Sequence, residues 1–166
     1  MKDLKVLSQV ADFHKTFKVP IEAKPVIPSP QRCALRIQLF EEELQELKDA
    51  IAANDLVEVA DALCDLQYVL AGTALEFGLG DKFCDLFDEV HRSNMSKACK
   101  TQEEAEQTIA HYRNNLQTDA YHKEVDGMYI IYRAADDKTL KSVNYAAPAL
   151  KAILGGKQEG GAPSPV

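Results

Sequence analysis

The chain has 166 residues, 46% hydrophobic and 27% charged, with a net charge of −7 and a pI near 5.1. That balance predicts one globular domain, over about 1–154, large enough for a single core. It argues against a general binder of nucleic-acid polymers or of anionic membranes, because neither surface attracts an acidic protein.

Leu4, Leu7, Val10, Phe13 and Phe17 recur at helical spacing, which predicts an amphipathic first helix stopped by Pro20. His14 lies beside that stripe and reads as a packing or surface residue with no chemical role. Pro20, Pro25, Pro28 and Pro30 then hold an extended connection. Ser29 followed by Pro30 fits an N-cap with proline in the first helical position. The second helix should run to about Ala53, and Asn54 and Asp55 should turn the chain. Asp55 with Glu58 three residues later has the form of a capping box, opening a third helix that reaches about Phe77. That third stretch is the most apolar in the chain but contains Glu58, Asp61 and Asp65, each costly at a bilayer centre, so it reads as a core helix and not a membrane span.

Gly78 and Gly80 close the third helix, and Asp81 can cap a fourth with Phe83, Phe87 and Val90 on one face. Thr101 and Glu104 repeat the capping-box pattern for a fifth helix ending near Leu116. MYIIYR has strand composition, with AADDK as a turn and TLKSV as the returning strand, so a small hairpin is expected within about 126–147. Residues 155–166 have little to bury and read as a disordered tail. Cys33, Cys64, Cys84 and Cys99 form no CxxC pair and the first residues lack a secretory apolar run, so reduced thiols in the cytoplasm are expected, with Cys64 and Cys84 buried as apolar residues. The fold class expected is all-α: a bundle of about five helices with the small hairpin and the tail.

The chemistry concentrates in Phe40 to Tyr68. Glu42 and Glu46 share one face of the second helix, with Glu43 about 100° round the axis. Glu58 and Asp61 lie three apart on the third helix, with Asp65 a turn further on. If the helices fold back at Asn54, Glu46 and Asp61 stand at the same height and the acids of both helices converge. Apart from its acids the third helix is apolar on every side over Leu56 to Leu75, which predicts burial. Buried carboxylates of like charge raise one another's pKa and demand a cation, and no lysine or arginine lies on that helix. An all-oxygen donor set suits Mg²⁺, or Mn²⁺, and carboxylate-bound Mg²⁺ usually also holds substrate phosphates.

Glu42, Glu43 and Glu46 followed by Glu58 and Asp61 resemble the EExxE and ExxD signature of the MazG-like all-α nucleoside triphosphate pyrophosphohydrolases, a superfamily that includes phosphoribosyl-ATP pyrophosphohydrolases and dimeric dUTPases. The similarity covers roughly Val10 to Arg113, and LVEVADALCDLQYVLAGTALEFG and EVHRSNMSK are especially like its small single-domain members. The resemblance implies Glu42, Glu46, Glu58 and Asp61 as metal ligands and Glu43 as the general base that activates water. It also implies cleavage of a nucleoside triphosphate between the α and β phosphates, giving a monophosphate and pyrophosphate, and assembly into a homodimer or homotetramer. Asn94 and Lys97 match polar residues that bind nucleotide or phosphate in similar proteins. Asp65, Arg92 and Lys100 are auxiliary candidates. Nucleotide-pool house-cleaning is the role such an activity suggests. The alternatives are a phosphoribosyl-ATP pyrophosphohydrolase of histidine biosynthesis and a non-catalytic helical interaction module. A di-iron carboxylate bundle ranks far lower, because it requires histidine where Asp61 stands.

Overall fold

A computed structural model describes residues 5–155. The fold is mostly helical with one two-stranded antiparallel hairpin, as the sequence predicts. The chain forms two compact units, Met1–Phe83 and Cys84–Val166. The tail expected over 155–166 lies, Gly155 apart, outside the described residues.

In the first unit α1 spans Val6–Phe17, α2 Pro30–Ala52 and α3 Leu56–Glu76. Their boundaries follow local chemistry. Lys18 in the left-handed region ends α1, the Ser29 side chain accepts from the Arg32 N–H with Pro30 at the first helical position, and Asp55 accepts from the Val57 and Glu58 N–H groups. The second half of the predicted box at Asp55 is not made: the Asp55 N–H donates to the Ala50 carbonyl at 3.0 Å, which leaves the Glu58 carboxylate out of the cap. Val10, Ala71 and Leu75 are the buried centre where α1 packs on α3.

The connection after α1 returns along the end of α3, with Glu22 N–H donating to the Leu75 carbonyl at 3.0 Å and Val26 N–H to that of Phe77 at 3.1 Å. Gly78, at φ 67°, makes that return feasible, since a Cβ there would stand 1.9 Å from the Lys24 carbonyl oxygen. After it comes a short 3-10 turn, Gly80–Lys82.

α2 and α3 form an antiparallel pair whose register can be followed in one-turn rungs. Arg32 meets Glu76, Arg36 lies against Gly72, Leu39 and Val69 line one cavity, and Glu43 and Asp65 feel one another's charge. The burial expected for all of α3 is dense only in its last two turns, where Ala71, Gly72, Ala74, Leu75 and Glu76 are buried; before them only Ala62 and Val69 are. Nearer the turn Leu56 is 79% exposed, Val57 75% and Leu63 52%, so apolar character on every side does not translate into burial within this chain. Cys64 is exposed, against expectation, because it sits on that open part of α3, and Cys84 is exposed near the start of α4.

In the second unit α4 runs Phe83–Met95, α5 Gln102–Leu116, β1 Ala120–Val125, β2 Met128–Arg133 and a short α6 Leu150–Ile153. Phe87, expected on a packed face, is 65% exposed, and Leu86 and Ser93 are the buried residues of α4. The hairpin pairs Ala120 with Arg133 through Val125 with Met128. MYIIYR is therefore a strand as expected, but its partner lies upstream in AYHKEV, joined through Asp126 and Gly127, both at positive φ. TLKSV makes only the isolated bridge between Thr139 and Tyr132. The backbone around it is used otherwise: Lys141 N–H donates to the Tyr112 hydroxyl at 3.1 Å, Val143 N–H to Thr108 Oγ1 at 3.2 Å and Ser142 N–H to the Lys97 carbonyl at 3.1 Å. These bonds draw the segment onto α5 over the core of Cys99, Ala105, Tyr112, Ile131 and Leu140.

Candidate active site

Of the acids of EExxE and ExxD, Glu42, Glu46 and Asp61 lie near enough to Glu43 on the first unit to act on its charge. Glu43 is the half-buried member of the α2 set, whereas Glu42 and Glu46 are exposed. Its carboxyl is held above the usual carboxylate range, first by burial and then by the charges of Asp65, Glu46, Glu42 and Asp61. Five carboxylates from two helices thus share one field with Glu43 at its centre. Asp65, auxiliary in the sequence reading, is the foremost of the four charges acting on Glu43. Glu58 is exposed in the first turn of α3 and is not among them.

Among the described residues, none of these acids forms an ion pair with lysine or arginine. Glu42 accepts a hydrogen bond from Gln38 at 2.8 Å. No group of three His, Cys, Asp or Glu side chains among the described residues is arranged to hold an ion as it stands. Like charges without a counter-ion repel, so splayed carboxylates are the arrangement expected before a cation draws them in. The donors suit a hard divalent ion: all are oxygens, they come from facing helices, and the one that is half-buried already has a raised proton affinity.

Two and three rungs further along, beyond Leu39 and Val69, is a polar cluster that the sequence does not announce. Glu76 is 1% exposed and accepts from Arg32 Nε at 3.0 Å, from Arg32 Nη2 and from Arg36 Nη2. Burial alone would raise its carboxyl, but the hydrogen bonds and charges of the two arginines outweigh it and hold the group below the ordinary range. His14 is buried beside them, with Nδ1 2.9 Å from the Pro20 carbonyl oxygen and Nε2 3.4 Å from Arg36 Nη2. Gly72 provides the space, since a Cβ there would lie 2.9 Å from His14 Nε2 and 3.0 Å from Arg36 Nη1. Two signals were present in the sequence: arginines four apart on α2 and a lone acid closing an apolar helix.

Asn94 and Lys97 belong to the second unit, where Lys97 Nζ donates to Asn94 Oδ1 at 2.8 Å. Arg92 is paired with Glu89, Nε to Oε2 at 2.7 Å, and also donates to the Ala147 carbonyl. The Glu89 carboxyl is pulled down to about 2 by Arg92 and by the Ala149 N–H. Lys100 contributes its backbone N–H to Glu104 at 2.8 Å, while Thr101 Oγ1 accepts from Glu104 N–H at 3.1 Å.

A mostly helical chain with convergent carboxylates on a facing helix pair defines a class of acidic-site helical proteins, and comparison with known proteins gives the family. Residues 10–94, half of the chain, match the phosphoribosyl-ATP pyrophosphohydrolase family, and the chain belongs to it. The match contains α2, α3 and every acid of the seam. The family carries a pyrophosphohydrolase-type function and is generally dependent on divalent metal. A relative, uncharacterized protein L479 of Acanthamoeba polyphaga mimivirus, is 26% identical across 87% of this chain and 94% of its own length. No helix among the described residues is long and apolar enough to cross a membrane.

Proposed function

We propose that the chain is a divalent-cation-dependent nucleoside triphosphate pyrophosphohydrolase, cutting the α–β phosphoanhydride to release a nucleoside monophosphate and pyrophosphate. The observation that carries this reading is Glu43, half-buried where acids of both helices meet and matched by no basic side chain. Glu42, Glu46, Glu58 and Asp61 would hold Mg²⁺ or Mn²⁺, with Asp65 close enough to join them. A bound divalent ion supplies charge neutralisation at the phosphates. Glu43, whose proton affinity is raised, takes the proton of the attacking water as its oxygen bonds to phosphorus; the bridging P–O bond breaks and its electron pair leaves with pyrophosphate. Asn94 and Lys97, bonded to each other in the second unit, are the phosphate-binding candidates that the resemblance implies. Arg92 is a weaker candidate because Glu89 already balances it.

Incubation of the protein with Mg²⁺ and each nucleoside triphosphate, each deoxy counterpart and phosphoribosyl-ATP, followed by ion-exchange separation, tests the reading. Monophosphate with pyrophosphate is the expected product pair. Diphosphate with phosphate, or no turnover of any nucleotide, counts against it. Turnover of phosphoribosyl-ATP alone favours the histidine-pathway alternative, and pool house-cleaning requires triphosphate turnover.

The depth of Glu43 favours a second assignment, in which it is itself a ligand. Mn²⁺ titration of Glu43→Gln, followed by electron paramagnetic resonance, separates the two: a base leaves the affinity intact while turnover falls by about a hundredfold or more, and a ligand loses both. We further propose that a second copy covers the open face of α2 and α3, in a homodimer or homotetramer, and that the protein works in the cytoplasm, where four free cysteines persist.

A further inference from the structure

A cavity of about 280 Å³ opens on the first unit one helical turn from the carboxylates. Leu39, on its wall, precedes Glu43 by one turn, and Tyr68 follows Asp65 by one turn. A cavity wall therefore begins about 5 Å along the helix pair from the proposed phosphate site, within the span of one nucleotide.

The cavity has two kinds of wall. Phe13 and Tyr68 present aromatic rings, edge to face with centroids 5.6 Å apart, and both are partly exposed. His14, Arg32 and Arg36 form the other side. Their charges do not cancel, because two guanidinium groups share the single carboxylate of Glu76. Nor are their donors exhausted. Arg36 has only 8% of its side chain exposed, and its Nε–H is buried without a hydrogen-bond partner. A buried donor without an acceptor is costly, and native proteins seldom leave one without a reason. His14 does not supply the acceptor: its Nδ1 is engaged with the Pro20 carbonyl and its Nε2 faces Arg36 Nη2.

We propose that this cavity receives the base of the nucleotide, and that Arg36 with Arg32 selects a base bearing an exocyclic oxo group over one bearing an amino group. A flat ring fits against Phe13 and Tyr68. An oxo group accepts from guanidinium N–H donors, whereas an amino group in the same place brings a donor against donors and leaves Arg36 unsatisfied. Uracil and thymine are thereby preferred to cytosine, and guanine to adenine. The inference rests on the pyrophosphohydrolase reading for the substrate class, but the cavity and its orphan donor stand without it.

Two measurements test it. The first is kcat/KM with Mg²⁺ for dUTP, dTTP, dCTP, dGTP and dATP. The oxo member of each pair is expected to win by about tenfold or more, the factor that one hydrogen bond to a charged group carries. In the folded double variant Arg36→Gln/Glu76→Gln, which removes the orphan donor of Arg36 together with the carboxylate it shares with Arg32, that ratio should collapse to about twofold or less. Equal or amino-favoured turnover by the wild type overturns the inference, as does an unchanged ratio in the folded double variant. The second measurement needs neither metal nor turnover: deoxyuridine, deoxycytidine, deoxyguanosine and deoxyadenosine are titrated into wild-type protein while NMR follows the Phe13 and Tyr68 ring protons and Arg36 Hε. Shifts for the oxo nucleosides without hydrolysis of any triphosphate would retain the base site and reject the reaction. Hydrolysis with no shift at these groups would reject the base site and retain the reaction.

Discussion

Glu43 and Glu76 are carboxylates about nine helical turns apart in sequence, and opposite causes act on them. Glu43 stands among like charges and its carboxyl is raised; a group raised on folding contributes stability below its unfolded pKa and loses it as pH climbs through the folded value. Metal-free Glu43→Gln should therefore melt at a higher temperature than wild type at neutral pH, with the gain vanishing as pH falls below the carboxylate range and shrinking when Mg²⁺ is added; calorimetry across pH with and without chelator reads this. Glu76 has the reverse sign. Its lowered carboxyl contributes stability above the unfolded pKa and loses it on acidification. Glu76→Gln leaves two arginines facing a neutral side chain, and breaking a buried pair costs on the order of 3 kcal/mol. Urea melts at neutral pH should show that loss, and melts at acidic pH should show much less of it. At this scale the acids of the seam were legible because charge on an apolar helix is conspicuous. Glu76 was not, since it occupies the last position of α3, where a terminal acid reads as solvated, and its partners stand 44 and 40 residues away in sequence.

The helix pair is the element that gives these residues their neighbours. Its turn is held by Asp55, whose side chain accepts two backbone N–H groups at 2.9 and 3.2 Å. Asp55→Ala should destabilise the protein by about 1 kcal/mol, the usual cost of a lost N-cap, and a denaturant midpoint shift at unchanged slope would check it. Gly72 is a second control point. A methyl group there intrudes on His14 and Arg36 despite the better helix propensity of alanine, so Gly72→Ala should lower the melting temperature and not raise it. Helix limits were legible because Ser29, Asp55 and Thr101 are capping residues and the side chain of each accepts at its helix start, although the reciprocal half of the box at Asp55 is not made. The strand partner of MYIIYR was not. AYHKEV is polar and its last residues are exposed, so period-two burial is weak, and the signal lay in the turn: Asp126-Gly127 is a dipeptide suited to two consecutive positive φ angles.

On the scale of the whole molecule, the open apolar surface is the main departure from expectation. Ile37, Leu44, Ile51, Leu56, Val57 and Leu63 are all exposed on α2 and α3. An apolar helix face marks surface suited to burial without specifying whether the same chain or another covers it. If a second copy covers this face, light scattering should give a multiple of the 18.4 kDa chain mass, and Leu56→Glu with Leu63→Glu should shift the protein toward monomer. A monomeric wild type at micromolar concentration would refute the assembly.

The register of α2 on α3 has a bearing on inheritance. The carboxylates occupy the rungs near the turn, and the arginines, Gly72 and Glu76 occupy those at the far end. No residue belongs to both sets. If the far rungs hold the base as proposed, a lineage can exchange them and acquire a new nucleotide while the near rungs pass on unaltered, so that descendants sharing every seam acid would differ in what they consume.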